Sequence, residues 1–245
     1  MKIFDHFRHI SLTNDQRNAL EKLQFFLESD ERVFILQGYA GSGKTTLLKG
    51  LVEYLKSLDQ KYQLMAPTGR AAKVINQKTG FESTTIHKGI YSFEELQEIK
   101  QGEDDKNVSF LYYYKIRNNP EIHYSVLIVD EASMVSDVLS QGEFFRFGTG
   151  YLLRDLIVYG RIQEATTTSK LIFIGDPAQL PPIGMKFSPA LDPQYLRETY
   201  NISVSQAEMK EMKRHDANNG ILISATKIRQ CLTSGYFNDF DLREN

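Results

Sequence analysis

Short apolar runs alternate with longer amphipathic stretches along most of this chain. Residues 33–37 (Val-Phe-Ile-Leu-Gln), 62–66 (Tyr-Gln-Leu-Met-Ala), 126–129 (Val-Leu-Ile-Val) and 171–174 (Leu-Ile-Phe-Ile) form four such runs. Apolar runs without strict alternation predict strands covered on both faces, as in a parallel sheet. Between them, 13–28 puts Leu20, Leu23, Phe26 and Leu27 on one helical face, and 44–58 and 69–77 read as further helices. Strands alternating with helices predict an α/β fold, a parallel sheet flanked by helices. Two stretches break this rhythm. Residues 91–121 hold an acidic turn (102–106) and then an aromatic run, Phe110-Leu111-Tyr112-Tyr113-Tyr114. They predict a small β subdomain inserted between 1–90 and 122–245. Residues 141–168 read as a long connection, helical around 151–159. A strand at 202–209, a helix at 219–231 and a frayed end near 235–239 complete the reading, and no fixed-period repeat occurs.

Composition narrows the class. A chain of 245 residues with 41% hydrophobic and 24% charged residues has enough apolar material for one large domain and a small subdomain. Mean hydropathy is −0.37, and no run approaches the ~18 apolar residues of a membrane span. The first residues have no apolar stretch of the signal-peptide kind. The single cysteine, Cys231, excludes an intrachain disulfide and a cysteine-rich zinc site. A cytoplasmic, monomeric protein with no membrane partner is expected. The net charge of −2 means that any nucleic-acid surface must be a local groove.

Three segments carry candidate chemistry. Gly38-Tyr39-Ala40-Gly41-Ser42-Gly43-Lys44-Thr45-Thr46 has the spacing of a phosphate-binding loop and stands between an apolar strand and a helix, where that chemistry requires it. Its glycines let backbone N–H groups wrap phosphates at a helix N-terminus. Lys44 would reach the β- and γ-phosphates of ATP, and Thr45 would ligate Mg²⁺. The run 126–129 ends in Asp130-Glu131, which predicts Asp130 as a second Mg²⁺ ligand and Glu131 as the base that activates water. The run 171–174 ends in Gly175-Asp176-Pro177-Ala178-Gln179-Leu180-Pro181-Pro182. A loop at the carboxyl end of a parallel strand faces the ligand crevice, so Gln179 is a candidate sensor of the γ-phosphate. A proline-stiffened surface loop is the plainer alternative.

The segments 38–46, 66–75 (APTGRAAKVI), 84–88 (TTIHK), 129–134 (VDEASM) and 175–184 (GDPAQLPPIG) together resemble superfamily-1 DNA helicases of the RecD and Dda type. The resemblance runs over nearly the whole chain and implies the first RecA-like motor domain of a 5′-to-3′ translocase on single-stranded DNA. It implies that Gln16 reads adenine, although Thr13 and Gln16 also fit a helix capping box. It implies DNA contacts from Pro67, Thr68, Gly69 and Arg70, and from His87. It makes Arg214 a γ-phosphate contact. It assigns the 91–121 insert to strand separation, with Phe110 as a DNA contact; packing of the insert is the alternative for these aromatics. A second RecA-like domain, which such motors require, is expected to lie outside these 245 residues. A nucleotide-driven switch that does not act on DNA, a non-catalytic nucleic-acid-binding remnant and an RNA-directed relative are the competing readings.

Overall fold

The computed structural model describes residues 2–101, 109–118, 125–142, 144–211, 227, 228 and 231. The expected acidic turn, the helix at 219–231 apart from three of its residues, and the end near 235–239 lie outside the described residues.

Six strands form one all-parallel sheet: β1 (Val33–Gly38), β2 (Tyr62–Ala66), β3 (Thr84–Thr85), β6 (Val126–Val129), β8 (Lys170–Gly175) and β9 (Val204–Met209). Their spatial order is β3-β2-β6-β8-β1-β9. The expected parallel α/β sheet is therefore present, and alternate residues of each central strand serve opposite faces. Phe34, Leu36, Ile128, Ile172 and Ile174 join one core with α1 (Asn14–Glu28), α2 (Lys44–Ser57) and α3 (Gly69–Thr79). Val33, Ile35, Leu127, Val129, Leu171 and Phe173 join a second core under α4 (Ile86–Ile90), α5 (Leu152–Tyr159) and α6 (Pro193–Tyr200). Burial on both faces is why these strands read as continuous apolar runs. No helix among the described residues is long and apolar enough to cross a membrane.

The N-terminal residues form a 3-10 helix, Ile3–Phe7, whose Ile3 and Phe7 enter the first core. Phe7 explains a glycine inside α2: a Cβ on Gly50 would stand 2.1 Å from the Phe7 ring. Helix α6 has no apolar run to announce it. Its start is written instead in Asp192, whose carboxylate accepts from the backbone N–H of Gln194 and Tyr195, and in Pro193 at the first helical position.

A second sheet stands apart. Strands β4 (Tyr91–Gln101) and β5 (Ser109–Ile116) pair antiparallel, and β7 (Phe145–Phe147) pairs parallel to β5. The third strand thus comes from the stretch that the sequence pattern assigns to a plain connection. Three residues are too few to show periodicity, and the aromatic contacts of Tyr112 with Phe145 and of Tyr114 with Phe147 (4.7 Å, stacked) hold it in place. The small sheet is tied to the main core at its root. The buried carboxylate of Asp155 on α5 accepts from the Tyr91 hydroxyl (2.7 Å) and from both the backbone N–H and the hydroxyl of Thr149.

Lys170 opens β8, and its ammonium lies inside the protein. It donates to the carbonyls of Phe26 (2.8 Å), Ser29 (2.7 Å) and Glu31 (2.9 Å). It thereby satisfies the C-terminal end of α1 and the turn that leads into β1. Burial lowers its pKa from the ordinary lysine value. Lys170→Met keeps the stem but leaves the Ser29 and Glu31 carbonyls without this donor, while the Phe26 carbonyl keeps the N–H and hydroxyl of Ser29. It should destabilise the fold by roughly 2–4 kcal/mol, read as a lower urea midpoint with an unchanged slope.

Candidate nucleotide and nucleic-acid site

Because every strand of the main sheet points the same way, five of the expected motifs emerge at one edge. The loop at 38–46 follows β1, Asp130-Glu131 follows β6, and the Gln179 loop follows β8, which lies between those two strands. Pro67 and Thr68 follow β2, and His87 follows β3. The β1–β8–β6 side and the β2–β3 side therefore divide the edge into two adjacent regions.

The loop at 38–46 is built to present donors. Gly41 and Gly43 have φ of +80° and +91°, conformations open to glycine and strained for other residues. No side chain caps the N-terminus of α2. The Ser42 hydroxyl is buried with no hydrogen-bond partner. The Lys44 ammonium folds back onto the carbonyls of Gly38 (2.6 Å) and Tyr39 (3.1 Å). Ala40 is exposed, and Thr45 and Thr46 are half-buried in the first turn of α2. A buried unpartnered hydroxyl, an uncapped helix N-terminus and a lysine held on the loop's own carbonyls fit a polyphosphate.

Gln16 sits behind this loop and is fully buried. Its amide donates to the Ser42 carbonyl (2.8 Å), and its oxygen accepts from the Thr13 backbone N–H (3.1 Å), while Thr13 Oγ1 accepts from Gln16 N. The capping box is present, and both ends of the carboxamide have a partner inside the protein. A Cβ on Gly43 would fall 2.3 Å from Gln16 Nε2, so the glutamine and the glycine fix the loop together.

Asp130 is 7% exposed. Burial pushes its carboxyl up to about 6, against a backbone hydrogen bond from Glu131 and the positive charge of Lys44. Glu131 is half-buried and holds φ of +55°, a left-handed conformation that few non-glycine residues adopt and that gathers at functional positions. It turns the chain from β6 into the short 3-10 helix Ala132–Met134. One residue of that helix, Ser133, was not among those the sequence pattern singled out. Its hydroxyl donates to Gln179 Oε1 (3.1 Å). A Cβ on Gly175 would stand 3.2–3.3 Å from the Ser133 and Ala132 nitrogens. The turns after β6 and β8 are therefore one packed unit. Gln179 is exposed, as are the neighbouring Leu180 and Ile183.

On the other side, Thr68 caps α3 by accepting from Ala71 N (3.2 Å), Pro67 is half-buried, and Gly69 and Arg70 are exposed in the first turn. The geometry offers a helix N-terminus and a cation to a phosphate. His87 lies elsewhere in character. Its ring packs against Phe147 (5.0 Å) and Tyr91 (5.6 Å), and burial lowers its pKa. It is part of the joint between main domain and small sheet. The backbone of Phe110 lies on β5, but its side chain and Arg214 lie outside what the structure describes. No group of three or more His, Cys, Asp or Glu among the described residues makes a metal-binding cluster. Any Mg²⁺ held by Thr45 and Asp130 would therefore need phosphate and water to complete its shell, which is how that ion is usually held.

Fold and loop together define a P-loop NTPase domain of the RecA-like kind. The AAA domain family matches residues 11–141, more than half of the chain, and this protein belongs to that family. The chain is 28% identical over 221 residues to the ATP-dependent DNA helicase dda of Enterobacteria phage T4, covering 89% of this chain and 42% of that protein. It is 26% identical over 173 residues to the ATP-dependent RecD2 DNA helicase of Deinococcus radiodurans, covering 70% and 18%. An uncharacterized protein of Methanocaldococcus jannaschii, MJ1519, is 36% identical over 157 residues, covering 62% and 12%. The crystal structure of the Pif1 helicase from Candida albicans superposes with a TM-score of 0.54 at 19% identity, over 90% of this chain and 44% of that one. The chain thus spans less than half the length of these relatives. The likeness to superfamily-1 helicases read from the motifs is present in both sequence and fold.

The Asp130 shift has a pH signature in the ligand-free protein. A carboxyl whose folded pKa is raised from 3.8 to about 6 contributes most below pH ~4, and that contribution fades as pH rises through 6. Asp130→Asn removes this loss. Its melting temperature should match the wild type near pH 4 and exceed it at pH 7, by about 2–3 kcal/mol in stability at most. A difference between the two proteins that does not change between pH 4 and 7 would contradict the assignment.

Proposed function

We propose that this chain is the ATP-hydrolysing first motor domain of a DNA helicase, which acts with a second RecA-like domain to move 5′ to 3′ along single-stranded DNA in recombination, repair or replication. The observation that supports it most is the shared edge: a phosphate-loop geometry, an acid pair and a glutamine on neighbouring strands, beside a helix N-terminus suited to a nucleic-acid phosphate. Two of the relatives named above, dda and RecD2, are DNA helicases by description, which favours DNA over a switch with no nucleic-acid partner.

Each residue then has a task. Lys44, leaving the carbonyls of Gly38 and Tyr39, would bind the terminal phosphates, and Ser42 and the N–H groups at the start of α2 would hold the remaining oxygens. Thr45 and Asp130 would hold Mg²⁺, which supplies neutralisation of charge on the β- and γ-phosphates when bound. Glu131 is held by its turn at the end of β6, where it would take the proton of an attacking water. Gln179, bonded to Ser133 in the turn that follows Glu131, would report the occupancy of the γ-phosphate position to the exposed Leu180–Ile183 surface. Arg214 is proposed to reach the γ-phosphate, and Thr68 and Arg70 to hold the DNA backbone.

Two variants test the reading. Lys44→Ala removes a charge-assisted contact and should weaken a fluorescent ATP analogue by roughly 10–100-fold, with the fold intact by circular dichroism. Glu131→Gln keeps size and the left-handed turn. It should bind the analogue like the wild type while DNA-stimulated hydrolysis, measured with the second domain present, falls by about 10²–10⁴. Unchanged hydrolysis in Glu131→Gln would show that the base lies elsewhere.

A further inference from the structure

Two turns at the carboxyl edge, after β6 and after β8, meet in a pair of unlike side chains. Ser133 is fully buried, and its hydroxyl donates to Oε1 of Gln179 (3.1 Å), 46 residues further along the chain. Gln179 itself is exposed. Most side-chain hydrogen bonds end on backbone or water, and a hydroxyl in a helical turn has backbone acceptors within local reach. Here the hydroxyl is used instead on the tip of a long side chain at the nucleotide edge.

The backbone on both sides of that bond is fixed. Ser133 lies in the 3-10 turn Ala132–Met134, which Glu131 opens in its left-handed conformation. Met134 N donates to the Glu131 carbonyl (3.3 Å) and Val135 N to the Ala132 carbonyl (3.1 Å). Ala132 and Val135 are buried in the second core. Across from them, Asp176 is 1% exposed, and its carboxylate accepts from Ala178 N (3.0 Å) while its carbonyl accepts from Gln179 N (3.1 Å). Pro181 and Pro182 follow and stiffen the loop. The variable left is the Gln179 side chain. A carboxamide has two unlike ends, an oxygen that accepts and a nitrogen that donates twice, and toward a phosphate only the nitrogen is useful. A hydroxyl bonded to the oxygen turns the nitrogen outward.

We propose that Ser133 is a positioning residue for the nucleotide reaction: it holds the oxygen of the Gln179 carboxamide, so that the two N–H bonds of the nitrogen are presented to the γ-phosphate position at the ends of β1, β8 and β6. The inference rests on the γ-phosphate role given to Gln179 above and adds the group that aligns it. Glu131 is the N-cap residue of the same 3-10 turn, so the residue that would take the proton of water and the residue that would sense the phosphate are set by one short element. ADP lacks the phosphate that the nitrogen would bind, so the alignment acts on the preference for ATP over ADP. A plain tie between two loops would change stability and treat both nucleotides alike.

The test uses the full chain with Mg²⁺ and compares the affinities of a fluorescent, non-hydrolysable ATP analogue and of fluorescent ADP. Gln179→Ala should lower the preference for the triphosphate by roughly tenfold, the loss of one hydrogen bond to a charged group. Ser133→Ala keeps Gln179 but frees its carboxamide to rotate. It should lower the preference by roughly three- to tenfold, with ADP affinity unchanged. Ser133→Ala/Gln179→Ala should match Gln179→Ala alone, because residues that act through one contact are not additive. Gln179→Glu keeps an acceptor for Ser133 but offers no donor, and should lose the preference at least as fully as Gln179→Ala. As an exposed substitution it reports even where Ser133→Ala does not fold. Wild-type preference in Ser133→Ala or Gln179→Glu, or a further loss in the double variant, would overturn the role of Ser133 and, with Gln179→Ala impaired, leave the γ-phosphate reading standing. Unchanged preference in Gln179→Ala would overturn that reading, and the role of Ser133 with it.

Discussion

Strand polarity is the constraint on which this molecule depends. In an all-parallel sheet every carboxyl end lies on one edge, and every return path must cross a face as a helix or long loop. Residues separated by more than a hundred positions in sequence, Lys44 and Gln179 for instance, are brought to neighbouring strand ends without any contact of their own having to pull them there. The covering helices supply the stability, through two separate cores that take alternate residues of each strand. The edge is left free to hold groups that stability alone would disfavour: a buried unpartnered hydroxyl at Ser42, a carboxyl raised by burial at Asp130, and a left-handed Glu131. Such costs fall at sites of function and are carried by the rest of the fold.

The phosphate loop has its own scaffold. Gln16 reaches from the first turn of α1 to the Ser42 carbonyl, and Thr13 closes the box around it. The helix start and the loop conformation are thus one structure, so the loop's donors are arranged before any anion arrives. Lys44 meanwhile keeps its charge satisfied on two carbonyls of the same loop. Under the proposed role, exchanging those carbonyls for phosphate oxygens would require movement of one side chain, and preorganisation of this kind lowers the cost of binding.

The sheet and the loop were legible in the sequence because both leave local marks. A strand buried on two faces is an unbroken apolar run, and a phosphate loop needs glycines at fixed spacing. What stayed hidden depends on partners distant in sequence. β7 is three residues long and exists because Tyr112 and Tyr114 stack on it. Lys170 reads as a polar residue at the head of a strand, yet it joins Ser29 in closing the end of α1. Gln16 fits a capping box in sequence, but its bond to the Ser42 carbonyl, 26 residues away, is visible only in the fold. Helix α6 carried a legible start in Asp192-Pro193, but no apolar run drew attention to it.

The joint between the two sheets shows how a step at the nucleotide edge could be felt at the small sheet. Asp155 binds the Tyr91 hydroxyl and both donors of Thr149, so the first residue of β4 and the turn after β7 close on a single carboxylate. His87 and Phe147 pack on the same tyrosine, and His87 belongs to α4, whose N-cap Thr85 pairs with the end of β2. Main sheet, α4 and small sheet therefore meet in one packed aromatic cluster around a satisfied buried charge. Close-packed interiors transmit displacement because they have little free volume to absorb it. A shift of α4 imposed from the β2–β3 edge would be passed to the root of the small sheet rather than dissipated.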